Sequence, residues 1–187
     1  MLTAYVDESL RRRPYDDSVY AMAAVIIDSP DHGDICAELE SLRLGKSPRL
    51  HWREESSIRQ FFIAGRIAAM PMRGIVAVHL HNREVRAERA RRRCLERLLA
   101  ELDQLRVPVV LIESRSPEQD HSDLLLVMAI RRSGALSRNI MIGWRSSYQE
   151  PLLWAADAVV GATTWWLDGR AACFDLLHEK VSVIDLD

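Results

Sequence analysis

Three acidic residues stand at positions where the chain is otherwise apolar. Asp7 closes the run in LTAYVDES, Glu113 closes the run in VPVVLIES, and Asp157 interrupts the apolar stretch of residues 151–167. A carboxylate in such surroundings is costly unless it is paired or binds a metal ion. Taken singly, each also fits a simpler reading, a charge that marks the end of an element. Alternation along a strand puts Asp7 and Ser9 on one face and Glu8 on the other, so one acid of the adjacent pair serves any given site. In the last stretch Leu152, Leu153, Ala156, Val160 and Leu167 gather on one side of a helix, and Asp157 lies at the margin of that stripe.

The elements that must position these acids follow from the apolar pattern. Residues 2–9 and 19–27 read as two strands joined by an Arg- and Pro-containing loop, close enough in sequence to pair antiparallel. Ile35, Leu39 and Leu42 describe a short helix ended near Gly45, and Ile58, Phe61, Phe62, Gly65 and Ala69 mark another, stopped by Pro71. Residues 74–80 form a third strand. Val85, Leu95, Leu98, Leu99, Leu102 and Leu105 trace one face of a long helix, residues 107–112 a buried strand, residues 124–130 a short helix ending at Gly134, and residues 139–144 a last strand. Ser147 opens the final helix in a capping box with Glu150, Pro151 being tolerated in the first turn. Strands alternating with helices demand crossovers. The expected fold is therefore α/β, a mixed five-stranded sheet flanked by helices on both faces, in a single domain of residues 1–187, with the first strand central and the final helix across it. If the strands ending at Asp7 and Glu113 are adjacent and parallel, their carboxyl ends share the edge where open α/β sheets place ligands.

Acids on the first strand, on a later central strand and on the last helix form the constellation with which ribonuclease H-like folds hold two Mg²⁺ or Mn²⁺ ions. Hard divalent ions prefer carboxylate oxygen, and such a pair sits about 4 Å apart. The segments YVDES, VYAMAAVIID, RLHW, LIES and SSYQEPLLWAADAVVGA resemble the bacterial domain of unknown function 3800 family, itself similar to the ribonuclease H-like superfamily. The resemblance spans nearly the whole chain on short motifs. It implies a metal-dependent nuclease or an inactive relative, with Asp7, Glu113 and Asp157 as metal ligands and catalytic residues. Leu10 stands where the family often has Gly, and Trp154 where it often has Gln. His51, in RLHW, matches the family pattern and is implied as a proton shuttle. Superfamily members often draw a fourth acid from a helix, which makes Glu54 and Glu55 further candidates, as are Glu8 and Ser9 beside Asp7. Helix-start charge compensation and a hydrogen-bonded surface histidine are the alternatives for Glu54, Glu55 and His51.

Other residues point less sharply. His79 and His81 share a strand face, but no cysteine or third histidine is near in sequence, which favours a structural role over zinc. Arg83, Arg86, Arg89, Arg91, Arg92, Arg93 and Arg97 make one helix basic. Either they dock a phosphate backbone, with Arg89 and Arg93 as the candidates, or they form a solvated face balanced by Glu84, Glu88, Glu96 and Glu101. Tyr148, Trp154, Trp165 and Trp166 suit a core, a homodimer interface through the final helix, or stacking on bases.

Composition bounds the rest. Of 187 residues, 48% are hydrophobic and 28% charged, with 8 Gly and 7 Pro, which excludes disorder and fibrous repeats. A net charge of −2 excludes a uniformly basic nucleic-acid binder but not a local basic face. Arginine supplies 23 of the cations and lysine 2, and guanidinium suits bidentate phosphate contacts. Cys36, Cys94 and Cys173 form no C-x-x-C pair and are expected as buried free thiols. The stretch of residues 151–167 is too short and too charged to span a membrane, and MLTAYVDES lacks a basic leader, so a cytosolic protein is expected. No phosphate-cradling glycine loop, dinucleotide fingerprint or nucleophile elbow occurs. Two functions remain: a phosphodiesterase acting on DNA or RNA, and a silent scaffold that binds partners in a defence or toxin-type system. Metal binding separates them.

Overall fold

β1 (Leu2–Arg11) and β2 (Ser18–Asp28) run antiparallel, paired from Leu2 opposite Asp28 to Arg11 opposite Val19. All of β2 except Asp28 is buried, as a strand with helices on both faces must be. In the computed structural model, which describes residues 1–12, 17–81 and 87–186, β3 (Met72–His81) pairs antiparallel with β2. β4 (Val109–Glu113) lies parallel to β1, and β5 (Met141–Arg145) parallel to β4. β6 (Val181–Asp185) adds in parallel to β3, giving the order β5-β4-β1-β2-β3-β6 with β1 in the interior.

Two apolar layers sandwich this sheet. Tyr5 and alternate residues of β2 meet α1 (His32–Ser41), α2 (Ser57–Ala69), α5 (Leu153–Leu167) and α6 (Ala172–Leu177). Ala4, Val6 and the other face of β2 meet α3 (Ala87–Gln104) and α4 (Pro117–Arg132). α5 is buried on nearly its whole circumference. Its Trp154 is enclosed and Trp165 half-buried, while Trp166 stacks on Phe174 of α6 at 4.7 Å. The tryptophans of α5 are thus largely engaged within the chain's own fold.

The sheet has six strands where the sequence pattern predicts five. The missed pair, α6 and β6, follows Gly169, whose φ of 82° is open to glycine at little cost and turns the chain back after α5. β6 approaches β3 closely: a Cβ on Gly74 would lie 2.8 Å from the Val181 side chain. α2 buries a different face from the one expected. Ile58, Phe61 and Phe62 are exposed, whereas Gln60, Ile63, Ala64 and Ile67 are buried, Gln60 because its amide donates to the Trp52 carbonyl at 2.7 Å. α4 begins earlier than its apolar half suggests, capped by Ser116 with Pro117 in the first turn. The capping box at Ser147 does not form. α5 starts at Leu153, Ser147 accepts from Arg49, and Glu150 accepts from the Leu152 amide. The cysteines are free thiols, Cys94 and Cys173 buried and Cys36 half-buried. Among the described residues no helix is long and apolar enough to cross a membrane.

Candidate active site

β1 and β4 bring two of the three acids together. Val6 pairs with Ile112, so the next residues, Asp7 and Glu113, leave the parallel ladder side by side at its carboxyl end. Tyr5 and Leu111, two residues before each, pack on the α5 side, which assigns Asp7 and Glu113 to that face. α5 crosses there and presents Asp157. The outcome is electrostatic crowding: burial, the Asp157 charge and a hydrogen bond from the carboxyl pair with Glu113 push the Asp7 carboxyl well above its ordinary range. The Glu8 amide, donating to Asp7 Oδ1 at 2.6 Å, opposes that rise. A cavity of about 150 Å³ is walled by Asp7, Glu8, His51, Glu113 and Asp157, among others. Beside it opens a larger one of about 770 Å³, bordered by Ser9, Arg11, Trp52, Arg53, Asp157 and Trp165.

Asp157 is held from a second direction. His51 Nδ1 lies 2.9 Å from its Oδ2, and the Trp52 amide donates to the same oxygen at 2.8 Å. The hydrogen bond to Asp157 raises the His51 pKa, burial opposes this, and the Asp157 charge adds to the rise. The RLHW segment is fixed by packing: Trp52 lies over Gly161 of α5 so closely that a Cβ there would come within 2.2 Å of the indole. Arg49 reaches the third acid, its Nη1 3.5 Å from Glu113 Oε1.

These acids supply oxygen donors of the kind Mg²⁺ and Mn²⁺ prefer, with one imidazole alongside. Among the described residues, no three His, Cys, Asp or Glu side chains already surround a common point as a finished metal shell. Asp7, Glu113 and Asp157 nevertheless border one small cavity, where burial and the two neighbouring carboxylates raise the Asp7 carboxyl.

No family model and no curated protein matches the chain. Solved structures do. Ribonuclease H2 from Pyrococcus horikoshii OT3 aligns over 96% of this chain and 77% of its own, with 12% identity and a TM-score of 0.50. Bst-RNase HIII in complex with Mn²⁺ aligns over 96% of this chain and 54% of its own, with 11% identity and a TM-score of 0.54. The fold is ribonuclease H-like. Such likeness, at this identity, concerns the fold, and the chain spans about half the length of the Bst protein. The narrower resemblance to the domain of unknown function 3800 family gains no support from a family model and stays with its short motifs.

In this ribonuclease H-like frame most of the remaining candidates take partners outside the acid cluster, although Glu8 and Ser9 border the cavities. Glu8 points to the opposite layer, where Arg91 Nε is 2.6 Å from its Oε2 and Arg115 Nε 3.7 Å from its Oε1. Burial raises the Glu8 pKa and these two guanidiniums counter the rise. Glu55 pairs with Arg59 at 3.0 Å, and Glu54 is exposed, though its charge adds to the rise at His51. Ser9 borders the larger cavity. Arg89 and Arg93 are exposed on α3, on the far side of the sheet from α5, Arg93 Nη1 lying 3.3 Å from His79 Nε2. Arg83 and Arg86 lie outside the described residues. His79 and His81 are buried neighbours with ring centroids 6.0 Å apart. Sequence reasoning missed Arg49 and Gly161, and it read Arg91 as one of a solvated or phosphate-docking set, whereas Arg91 is buried. Arg49 stands in a bend two residues before His51, in the same RLHW segment that carries Trp52.

Proposed function

We propose that this chain is a Mg²⁺- or Mn²⁺-dependent phosphodiesterase acting on nucleic acid. The observation that carries this reading is the convergence of Asp7, Glu113 and Asp157 around one small cavity at the carboxyl ends of β1 and β4. These carboxylates would hold the ions, and two are expected for a ribonuclease H-like site. Bound there, the metal supplies Lewis-acid polarisation of a phosphoryl group and activation of water. The Trp52 amide and His51 fix the Asp157 carboxylate, so its direction does not depend on the ion. His51, with Nδ1 committed to Asp157, keeps Nε2 to exchange a proton with water or the departing oxygen. The larger cavity offers Ser9, Arg53 and Trp165 to an entering strand, while Arg89 and Arg93 would add phosphate contacts on the outer layer. Likeness to proteins named as ribonucleases makes an RNA-containing strand the first substrate to try.

A silent scaffold is the second reading, favoured by one observation: His51 and Arg49 already hold Asp157 and Glu113, and no finished three-donor shell occurs among the described residues. Incubation with single-stranded, duplex, hybrid and branched nucleic acids, in Mg²⁺, Mn²⁺ or chelator, decides between them. Cleavage that chelator abolishes and that Asp7→Asn loses is expected. Intact substrates throughout the panel, with no Mn²⁺ binding, would leave the scaffold.

A further inference from the structure

We propose that Arg49 has two successive partners: it holds Glu113 while the acid cluster carries no divalent ion, and it binds a phosphate oxygen of the nucleic acid once an ion takes Glu113. This rests on the reading of the cluster as a metal site. Its basis is the uneven way the guanidinium is held. Nη1 donates to Ser147 Oγ at 2.9 Å, and the guanidinium carbon lies 5.0 Å from the centre of the exposed Tyr148 ring. The approach to Glu113, at 3.5 Å, is the longer of the two polar contacts.

Ser147 and Tyr148 belong to the turn that precedes α5, not to the acid cluster. Release of Glu113 therefore leaves the guanidinium beside the site, stacked and hydrogen-bonded. Among the described residues both polar contacts use Nη1, so with respect to these residues most of the planar fork, whose geometry matches a phosphate, is uncommitted. The Tyr148 ring is exposed to solvent.

Charge makes the two roles separable. A cation fixed beside a divalent-ion site opposes the ion by Coulomb repulsion, and the same cation attracts a phosphate. Removing it should therefore shift the two affinities in opposite directions. An arginine that merely props up the fold would weaken both on removal, and one that only clamps substrate would leave the ion's affinity alone.

The test compares wild type, Arg49→Gln and Arg49→Lys. Calorimetric titration with Mn²⁺ alone should show Arg49→Gln binding about tenfold more tightly, the effect of one unit charge about 6 Å from a doubly charged ion with water-like screening. Arg49→Lys, which keeps the charge, should stay near wild type. Binding of a fluorescent oligonucleotide, with Ca²⁺ replacing Mn²⁺ to slow cleavage, should weaken about tenfold in Arg49→Gln, as for the removal of one charge-assisted hydrogen bond. It should weaken in Arg49→Lys too, since lysine lacks the fork. Thermal melts establish that the variants fold. Unchanged or weaker Mn²⁺ binding in a folded Arg49→Gln protein, or unchanged oligonucleotide binding, overturns the assignment of Arg49 alone. A wild-type protein that binds no Mn²⁺ overturns the metal-site reading beneath it.

Discussion

Asp7 and Glu8 are neighbours in sequence and carry the same chemistry, yet the sheet delivers them to opposite fates. Asp7 faces α5 and meets Glu113 and Asp157, two further acids. Glu8 faces α3 and α4 and meets Arg91 and Arg115. On that side Arg91, 1% exposed, also forks onto Asp123 with both Nη atoms at 2.9 Å, and Arg115 continues to Glu88. One face gathers like charges and the other neutralises them. Burial is similar on both sides and so does not tell a functional cluster from a structural one. The partners do: Glu8 and Asp123 meet arginines directly, whereas Asp7 meets two carboxylates, with Arg49 and His51 reaching Glu113 and Asp157.

The largest expected effect breaks the neutralised side. Arg91→Ala leaves Glu8 and Asp123 buried without their main counter-charge and should cost about 3–5 kcal/mol in urea unfolding. A destabilisation below about 1 kcal/mol would mean that water reaches this network and that it does not anchor β1 to α3 and α4. Next comes the packing that aims the acid side. Gly161→Ala drives a methyl group into the Trp52 indole and should cost about 1–3 kcal/mol. Because Trp52 and His51 fix Asp157, the same variant should lose cleavage out of proportion to its stability.

The pH dependence of the cation-free protein follows in part from the raised pKa values of Asp7 and His51, with Glu8 and Asp123 raised in the same direction. Asp7 and His51 both bind their protons more tightly in the fold than in the unfolded chain. Each therefore contributes stability that is complete below its unfolded pKa, about 4 for Asp and about 6.5 for His, and is lost as pH rises through its folded value. Thermal melts in chelator should fall as pH is raised from about 4 toward alkaline values, and Asp7→Asn should flatten the share that belongs to Asp7. A Tm that climbs over this range would remove the case for crowding. The smallest effect concerns the outer layer: charge reversal at Arg89 and Arg93 should reduce the salt slope of duplex binding by about 0.9 for each phosphate that they neutralise. An unchanged slope returns them to a solvated face.

How much of this was legible in the sequence depends on the range of the interaction. The opposite directions of Asp7 and Glu8 follow from strand alternation, and the interior place of β1 was expected from the apolar stripe of Leu152, Ala156 and Val160 that must pack on apolar strands. The convergence of Asp7, Glu113 and Asp157 needed the added inference that β1 and β4 are adjacent and parallel, as they are. Arg91 was visible only as one arginine among many, because its partners Glu8 and Asp123 are distant in sequence and nothing local marks it as buried. Gly161 lay unmarked within an apolar helix, since the indole that requires it comes from a separate segment. β6 escaped because five residues after a six-residue helix carry little periodicity, and its stability comes from β3. Ile58, Phe61 and Phe62 misled in the other direction, as helical spacing does not say which of two apolar faces the core will take.

The central claim, that the α5-side acids await a divalent cation, is tested most directly by thermal unfolding of wild type and Asp7→Asn at neutral pH with and without Mn²⁺. Wild type should gain about 2.7 kcal/mol at a hundredfold excess of ion over its Kd. Asp7→Asn should gain little while melting at or above the wild-type temperature in chelator, because the substitution relieves the crowding. No gain in wild type, or an equal gain in both proteins, would contradict the account.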